Sequence, residues 1–489
     1  MKRNDEMMPR SDLDPDVVGV LMIPIPEEGI TDWARPYIER AGSVCLFSQN
    51  TAGGFAATRT LVEQIRELNP TVVVASDEEG GDVTRIEAAL GSSLPNAAVV
   101  SDAFTTGKFL GELCACVGVD LDLAPVADVL TEKHNPVISV RSFSSSQTDV
   151  VTKCRELIHG LHSRGRTACI KHYPGHGAST NDSHVDSVQI PLSASSYLEH
   201  HVHAFHELVG DTDAVMMGHL EIPALGAGVS SVSSWSYSAL RSAGFDGAVI
   251  TDALDMSGAG RSQDSRLSDF AYRCYKAVES GADLLCLGAP KRARDLLRDG
   301  YLGVATALAD GVITRADLRN RRARIERLRG TAGYYSYDRS QALAFGIAQV
   351  EKQVWSRGIT QVEGAWVLVD ARKVPEYSAA FLAPAIVRVA ADLGGKYIGA
   401  AESLFSDCHA EASSSPEATR VCVLTKSPFC EEEDAAIRKV ARAYPDALFI
   451  HLGTADTAPA VPNMICLQGT SAAHAQVLKK LMHPAHFER

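Results

Sequence analysis

The chain has 489 residues, of which 45% are hydrophobic, 22% charged and 6% aromatic, and its formal net charge at pH 7 is −13. Because a single hydrophobic core seldom serves more than about 300 residues, this length favours one large and one smaller globular domain. The negative net charge provides no basic surplus to neutralise a phosphate backbone. The composition therefore argues against nucleic acid as a partner.

The beginning of the chain has charged residues but lacks the apolar core of a signal peptide. No stretch approaches the roughly 18 consecutive apolar residues that a membrane span needs. Eleven cysteines are scattered through apolar runs without the regular spacing of a disulfide framework. These features predict a cytoplasmic protein with buried thiols and no membrane partner, and export by a non-classical route is the alternative. We expect a monomer or a homodimer.

Short apolar runs rich in β-forming residues alternate with helical patterns from about residue 14 to 330. Each run delivers polar residues at its end. A repeated strand and helix rhythm of this kind predicts a (β/α)8 barrel of the TIM type, whose active site lies at the carboxyl ends of the strands. An open doubly wound sheet is the alternative. The eight runs are VVGVLMI, GSVCLF, TVVVASDEEGG, VDLDLAPVADV, TACIKHYPGHG, AVMMGHL, GAVITDALDM and ADLLCLG.

Helices are predicted between these runs, because apolar residues recur there at spacings of three and four. The clearest examples lie at residues 58–68, 152–165 and 268–282. The basic run at 319–330 also has apolar residues at helical spacing. It therefore favours a solvated helix face over a binding patch for an acidic partner.

A second domain is predicted after the barrel. We place the catalytic barrel at residues 1–335, a linker at 336–345 and a C-terminal α/β domain, layered like a sandwich, at 346–489. The domain is expected to begin with an amphipathic helix at 347–362. Its buried strands and closing helix are predicted at 365–370, 420–426, 447–453, 463–469 and 471–482. No motif assigns a role to this domain.

The segment KHYPGHGASTNDSHVD, at 171–186, has the highest density of reactive side chains. His172 and His176 have the spacing of a zinc-binding helix, but Pro174 and the flanking glycines break a helix, so no metal or cofactor is predicted. Asp182 and His184 instead fit proton transfer near neutral pH, since a carboxylate beside an imidazole fixes its tautomer and raises its basicity. An incidental Asp-x-His sequence in a surface loop is the alternative.

Two further strand ends carry carboxylates. Asp252 follows an apolar strand and could be a covalent nucleophile, a general base or only the cap of the next helix. Asp77 also ends an apolar strand and could accept hydrogen bonds from sugar hydroxyls. The polar groups at these strand ends suit a polyhydroxylated ligand; they are Asp77, Arg85, Arg141, Lys171 and His172.

Taken together, these motifs closely resemble the β-N-acetylglucosaminidase branch of glycoside hydrolase family 3. The resemblance covers about residues 15–290 and is carried by GSVCLFSQN, SDEEGGDVTRI, LDLAPVADV, NPVISVRSF, IKHYPGHGASTNDSH, VMMGHLEIPAL and GFDGAVITDALDM. It implies a retaining, exo-acting hydrolase of terminal β-linked N-acetylglucosamine, working on muropeptide or chitooligosaccharide fragments without a cofactor.

The resemblance also implies roles for individual residues. Asp252 matches the family's nucleophile, and His184 with Asp182 matches the acid/base dyad of this branch. The residues implied to bind the hydroxyls of the sugar in the −1 subsite are Asp77, Arg85, Arg141, Lys171 and His172. The sequence departs from the pattern at Asp82, where the family usually has arginine, and we expect altered electrostatics in that loop rather than lost catalysis.

Three other functions remain open from the sequence. A β-N-acetylglucosaminide phosphorylase is one, because an uncharged histidine leaves room for phosphate where a glutamate would repel it. A hydrolase of a modified amino-sugar glycoside in a biosynthetic pathway is the second. A repurposed sugar-binding or regulatory protein is the third, and the intact Asp252, Asp182 and His184 argue against it.

Overall fold

The structure is a computed structural model of the 489-residue chain. It describes residues 10–180, 188–331, 333, 335–357, 366–370, 385–386, 388–389, 396–398, 420–426 and 431–482. The chain divides into two compact units. The first consists of Met1–Glu78, Ala103–Val129 and Ser144–Tyr337, and the second consists of Glu79–Asp102, Leu130–Phe143 and Asp338–Arg489.

The first unit is a (β/α)8 barrel. Its strands are β1 (Leu21–Pro24), β2 (Ser43–Leu46), β3 (Val73–Ser76), β4 (Leu121–Asp122), β5 (Thr167–Tyr173), β6 (Val188–Gln189), β7 (Ala214–Met217), β8 (Leu220–Glu221), β9 (Ala248–Thr251) and β10 (Leu285–Cys286). Eight of them form a parallel sheet in the order β10-β1-β2-β3-β4-β5-β7-β9. The sheet closes on itself, because the Thr251 amide donates to the Leu284 carbonyl at 3.0 Å. Strands β6 and β8 form a separate parallel pair.

All eight apolar runs in the sequence supply a barrel strand, so the predicted fold class is confirmed. The barrel strands are buried along almost their whole length, as continuous apolar runs in a parallel sheet require. The helices of this unit are α1 (Pro15–Val18), α2 (Arg35–Ile38), α3 (Ser48–Thr51), α4 (Gly54–Leu68), α5 (Ala103–Val117), α6 (Gln147–His162), α7 (Ala194–Tyr197), α8 (His203–His206), α9 (Ser234–Ser242), α10 (Asp269–Ser280), α11 (Ala293–Ala309) and α12 (Arg315–Glu326).

Helix α10 shows how the sequence defines these elements. The Ser268 side chain caps its first turn, and the buried residues Phe270, Cys274 and Ala277 recur at spacings of four and three. The helix ends at Gly281, whose φ of 125° suits glycine. The predicted helices at 58–68, 152–165, 268–282 and 319–330 correspond to α4, α6, α10 and α12.

The second unit contains a six-stranded sheet. Its strands are β11 (Trp355–Arg357), β12 (Trp366–Asp370), β13 (Lys396–Ile398), β14 (Arg420–Thr425), β15 (Leu448–His451) and β16 (Met464–Cys466), and its longer helices are α13 (Arg339–Glu351), α14 (Glu431–Ala443) and α15 (Ala472–Met482). The strand order is β11-β16-β15-β14-β12-β13, and only the β11–β16 pairing is antiparallel.

Both faces of this sheet are covered, because side chains alternate between them. Along β14, Cys422 and Leu424 pack in one cluster with Leu478 of α15. Val421 and Val423 pack in the opposite cluster with residues of α14. The sheet is therefore the middle layer of an α/β/α arrangement, as the buried-strand runs predict.

The sequence misplaced the beginning of this region. Helix α13 begins at Arg339, so most of the predicted linker at 336–345 is helical, and the helix predicted at 347–362 ends at Glu351. The Asp338 side chain accepts hydrogen bonds from the Ser340 and Gln341 amides and so starts the helix earlier than its apolar pattern suggests. The domain limits 1–335 and 346–489 stay a prediction.

Two other expectations concern membranes and cysteines. None of the helices in the described ranges is both long and apolar enough to cross a membrane. All nine cysteines among the described residues are free thiols, and eight of them are buried. Burial raises the pKa of several of these thiols, including Cys154 and Cys274, so they are protonated at neutral pH.

Candidate active site

The carboxyl ends of the barrel strands bring Lys171 and Asp77 together. Lys171 lies within β5, Asp77 directly follows β3, and the Lys171 Nζ atom is 2.8 Å from Asp77 Oδ1. The Lys171 side chain is 2% exposed, whereas that of Asp77 is 18% exposed. Asp77 therefore holds the buried ammonium group and still presents its carboxylate to solvent.

More carboxylates lie close to this pair in the barrel. Asp122, at the end of β4, accepts a hydrogen bond from the Glu78 amide at 3.0 Å, and Ser76 donates to the Glu78 carboxylate at 3.0 Å. Burial raises the pKa of Asp122 well above its ordinary value, the charge of Glu78 raises it further, and Lys171 opposes both. The positive charge of Lys171 thus lies among the acidic side chains of Asp77 and Asp122.

His172 is oriented by Asp128, a residue that the sequence analysis did not single out. Its Nδ1 atom lies 2.7 Å from Asp128 Oδ2, and Asp128 is fully buried. Asp128 also accepts a hydrogen bond from the His176 amide at 2.6 Å. Both contacts join this segment to the single carboxylate of Asp128. The peptide bonds Lys171–His172 and Tyr173–Pro174 are cis.

Asp252 directly follows β9. Its amide donates to the Met217 carbonyl of β7 at 2.9 Å, and its Oδ1 atom accepts a hydrogen bond from the Ala253 amide at 2.7 Å. These contacts fix the carboxylate at the strand end. Burial raises the pKa of the Cys286 thiol in β10 well above its ordinary value, and the negative charges of Asp252 and Asp77 add to this effect.

A neighbouring acid and a histidine complete the surroundings of Asp252. Burial raises the pKa of Asp255, the charge of Asp252 adds to this effect, and a hydrogen bond from the Ala289 amide opposes it. His219 is buried, with its Nε2 atom 3.0 Å from the Ala253 carbonyl and its Nδ1 atom 2.6 Å from Ser231 Oγ. The backbone that follows Asp252 is therefore held by the side chain of His219, which lies between β7 and β8.

Arg85 and Arg141 belong to the second unit. Arg141 forms a two-pronged ion pair with Glu79, from Nε to Oε2 at 2.8 Å and from Nη2 to Oε1 at 2.7 Å. Both side chains are mostly buried, which favours a fixed guanidinium plane. Glu79 lies within the motif SDEEGGDVTRI but was not predicted to belong to the site. Arg85 is half-buried in the segment that follows.

Asp82 is the position at which the sequence departs from the family pattern. The structure buries it within the second unit, with Asp82 Oδ2 3.1 Å from Lys426 Nζ. Burial would raise the pKa of Asp82, but the Lys426 charge and the hydrogen bonds from Thr470 outweigh it and lower the pKa. The negative charge is therefore neutralised inside the protein rather than presented to a ligand.

The predicted acid/base residues Asp182 and His184 lie outside the described residues. Among the residues that the structure does describe, no group of three or more His, Cys, Asp or Glu side chains is arranged to hold a metal ion. The described part of the candidate site thus consists of ion-paired and hydrogen-bonded polar side chains at the ends of β3, β4, β5 and β9.

A closed parallel barrel with acidic and basic groups at its strand ends defines the class of (β/α)8-barrel enzymes. The glycosyl hydrolase family 3 N terminal domain matches residues 39–328. The chain therefore belongs to glycoside hydrolase family 3, as the sequence motifs predict.

Individual relatives agree with this assignment. The chain is 31% identical over 257 residues to a beta-hexosaminidase from Methylococcus capsulatus. The matched region covers 50% of this chain and 75% of the relative. A beta-hexosaminidase from Pseudomonas aeruginosa is 30% identical over 54% of this chain and 81% of its own length. These relationships support a glycoside hydrolase.

Solved structures extend the similarity to both units. A family 3 beta-N-acetylglucosaminidase from Paenibacillus has a TM-score of 0.80 at 21% identity and covers 96% of each chain. NagZ from Neisseria gonorrhoeae, solved in complex with N-trifluoroacetyl-D-glucosamine, has a TM-score of 0.56 at 25% identity. It covers 68% of this chain and 97% of its own. The similarity to the Paenibacillus structure, at 21% identity, shows the fold alone.

Proposed function

We propose that this protein is a retaining, exo-acting β-N-acetylglucosaminidase. The observation that carries the proposal is the position of Asp252 directly after β9, in a family 3 barrel whose β3 and β5 ends hold the Asp77–Lys171 pair. A carboxylate nucleophile beside groups that bind hydroxyls is the arrangement that a double displacement at a sugar needs.

The names of the relatives support the choice of sugar. The curated relatives reported above are named beta-hexosaminidases. The similar NagZ structure contains a derivative of N-acetylglucosamine. We therefore propose terminal β-linked N-acetylglucosamine as the glycone, in substrates such as muropeptides or chitooligosaccharides.

The proposed roles follow the family resemblance residue by residue. Asp252 attacks the anomeric carbon while His184, oriented by Asp182, protonates the leaving oxygen. His184, now a base, then activates the water that releases the sugar. The residues proposed to bind the sugar hydroxyls in the −1 subsite are Asp77, Arg85, Arg141, Lys171 and His172.

The contacts in the barrel support these roles physically. Asp77 is partly exposed and is paired with the buried Lys171 ammonium group, so its carboxylate is positioned to accept hydrogen bonds from sugar hydroxyls. The Asp128 carboxylate fixes the ring of His172, so that His172 Nε2 has a defined orientation for a hydroxyl. Such preorganised groups stabilise a transition state without further reorganisation.

A panel of aryl glycosides that differ at C2 tests the proposal, with each glycoside assayed with and without inorganic phosphate. The expected result is preferential cleavage of the N-acetyl-β-glucosaminide to free N-acetylglucosamine at a rate that phosphate does not change. A sugar 1-phosphate as the main product would assign a phosphorylase instead. Cleavage of the glucoside at a higher kcat/KM would contradict the proposed glycone.

Two further points are proposals of the same kind. We propose that the protein acts in the cytoplasm and needs no nucleic acid or membrane partner, from the composition of the sequence. A modified amino sugar as glycone would appear in the same panel as poor turnover of every simple substrate.

A further inference from the structure

The segment Glu79–Asp102 connects β3 to α5 and contains Arg85. Its own backbone structure consists of a short antiparallel bridge between Gly80 and Val83, a 3-10 helix at Ala97–Val99 and a few turns. It groups with the C-terminal segment, Asp338–Arg489, in the second unit. Side-chain contacts must therefore supply most of the interactions that fix the path of the chain around Arg85.

The first anchor lies three residues before Arg85. The Asp82 carboxylate is buried, and its Oδ2 atom forms an ion pair with Lys426 Nζ at 3.1 Å. Its Oδ1 atom accepts hydrogen bonds from the Thr470 amide at 3.1 Å and from the Thr470 hydroxyl at 2.7 Å. A buried carboxylate that loses its cation leaves an uncompensated charge, so this contact strongly disfavours other positions of the segment.

The second anchor lies two residues after Arg85. The Glu87 side chain is fully buried, and its Oε1 atom accepts a hydrogen bond from Arg339 Nε at 3.0 Å. The Ser93 amide and hydroxyl also donate to the Glu87 carboxylate, at 2.6 and 2.9 Å. Arg85 thus lies between two buried acids, each paired with a cation of the C-terminal segment.

Close packing leaves the segment little freedom between these anchors. Gly81 has a φ of 57°, and a Cβ atom there would overlap the Asn96 side chain. Further along, Gln349 Oε1 accepts hydrogen bonds from the Ser101 amide at 2.8 Å and from the Ser101 hydroxyl at 2.6 Å. The C-terminal segment therefore holds the Arg85 segment at several points along its length.

We propose that Lys426 and Arg339 are positioning residues for Arg85: through Asp82 and Glu87 they fix the backbone from which the Arg85 guanidinium binds the sugar. This gives the C-terminal domain a role in catalysis without any contact of its own with the substrate. The inference rests on the proposed function, in which Arg85 binds the −1 sugar.

A double-mutant cycle tests the inference. Lys426→Met and Arg339→Met are each made in the native chain and in an Arg85→Met background, and kcat and KM for an aryl N-acetyl-β-glucosaminide are measured. Each single anchor variant should lower kcat/KM by about 10- to 100-fold, since a displacement of about 1 Å can cost that much. In the Arg85→Met background the same anchor substitution should lower kcat/KM by less than about twofold, because the guanidinium group that the anchor positions is absent.

Controls separate positioning from general destabilisation. Lys480→Met removes the exposed pair with Glu351 in the same unit and should leave kcat/KM unchanged. Thermal unfolding shows which variants are folded at the assay temperature. Arg339 is partly exposed, so Arg339→Met keeps the test available if Lys426→Met does not fold.

The outcomes distinguish the two proposals. Full additivity of the anchor and Arg85 variants, or unchanged kcat/KM in folded anchor variants, would overturn the positioning role while leaving the proposed function intact. Wild-type kcat/KM in Arg85→Met would instead remove the sugar-binding role of Arg85, and the positioning role with it.

Discussion

Lys171 and Asp77 are 94 residues apart in the chain, and their side chains form an ion pair of 2.8 Å at the carboxyl ends of β5 and β3. The lysine is almost fully buried and the aspartate is partly exposed. The pair therefore has two consequences. It stabilises the barrel end by compensating a buried charge, and it holds a carboxylate where a polar ligand can reach it.

Removing the negative charge of this pair should affect both stability and activity. Asp77→Asn removes the carboxylate that pairs with the buried Lys171 ammonium group, so we expect the free energy of unfolding to fall by about 3 kcal/mol. Loss of a charged acceptor for sugar hydroxyls should lower kcat/KM by about 100-fold. Denaturant unfolding and steady-state kinetics measure the two effects.

The exposed Arg59–Glu63 pair on α4 provides a matched control. Glu63→Gln should change the free energy of unfolding by less than about 0.5 kcal/mol and leave kcat/KM unaffected. Equal effects of the two substitutions would contradict the role of the buried pair.

Asp128 should be needed for the orientation of His172. Asp128→Asn retains the shape of the side chain but cannot accept hydrogen bonds through both of its terminal atoms, so the His172 ring or the His176 amide loses its partner. We expect kcat/KM to fall by about 10- to 100-fold. Glu207→Gln, which alters the exposed pair with His203, serves as the control and should retain full activity.

The buried carboxyl of Asp122 predicts a pH dependence of stability. Its pKa is raised above the unfolded value, chiefly by burial and next by Glu78. The folded state therefore holds this proton to higher pH than the unfolded state does. The stabilisation is complete below the unfolded pKa and is lost as the pH rises through the folded pKa.

Asp122→Asn cannot lose a proton, so its Tm relative to the native protein should increase as the pH rises from 5 to 9. Thermal unfolding at several pH values measures this difference. Asp246→Asn, at a side chain that is 80% exposed, should show no such trend. A relative Tm of Asp122→Asn that stays constant or falls with increasing pH would contradict the prediction.

The sequence predicted the barrel well because each strand is a continuous apolar run, and the run itself carries the information. It did not predict β11, whose residues are partly or fully exposed and lie within the predicted helix at 347–362, or β13, whose sequence KYI lies outside a continuous apolar run. The beginning of α13 was missed because Asp338 was not recognised as a helix cap. A continuous apolar run therefore predicted a strand even where the strand is short, as at β16, and the prediction failed where no such run exists.

The candidate site was predictable in its residue types but not in its pairings. Lys171, His172, Asp77 and Asp252 follow or end apolar runs, so chain position alone places them at the barrel rim. Asp128 meets His172 from 44 residues away, a contact that only tertiary packing defines. The buried pair of Asp82 and Lys426 likewise joins positions 344 residues apart.

His184 is predicted to act as the acid/base, and the dependence of kcat/KM on the leaving group tests that role. His184→Ala should slow alkyl or disaccharide N-acetyl-β-glucosaminides far more than nitrophenyl ones, because nitrophenolate needs little protonation to depart. Asp252→Ala should abolish turnover of both classes, since every substrate needs the nucleophile to form the bond to the anomeric carbon, whichever group departs. Equal losses of kcat/KM on both classes in His184→Ala would contradict its role as the acid.

Asp252 is proposed to form a covalent bond with the sugar, and trapping of that intermediate is the sharpest test of the proposed function. The protein is treated with a 5-fluoro derivative of N-acetylglucosaminyl fluoride, which reacts with a nucleophile and is released slowly. The labelled peptide is then identified by mass spectrometry. We expect one label, on Asp252, and none in Asp252→Ala. A label on another residue, or turnover with inversion and no label, would contradict it.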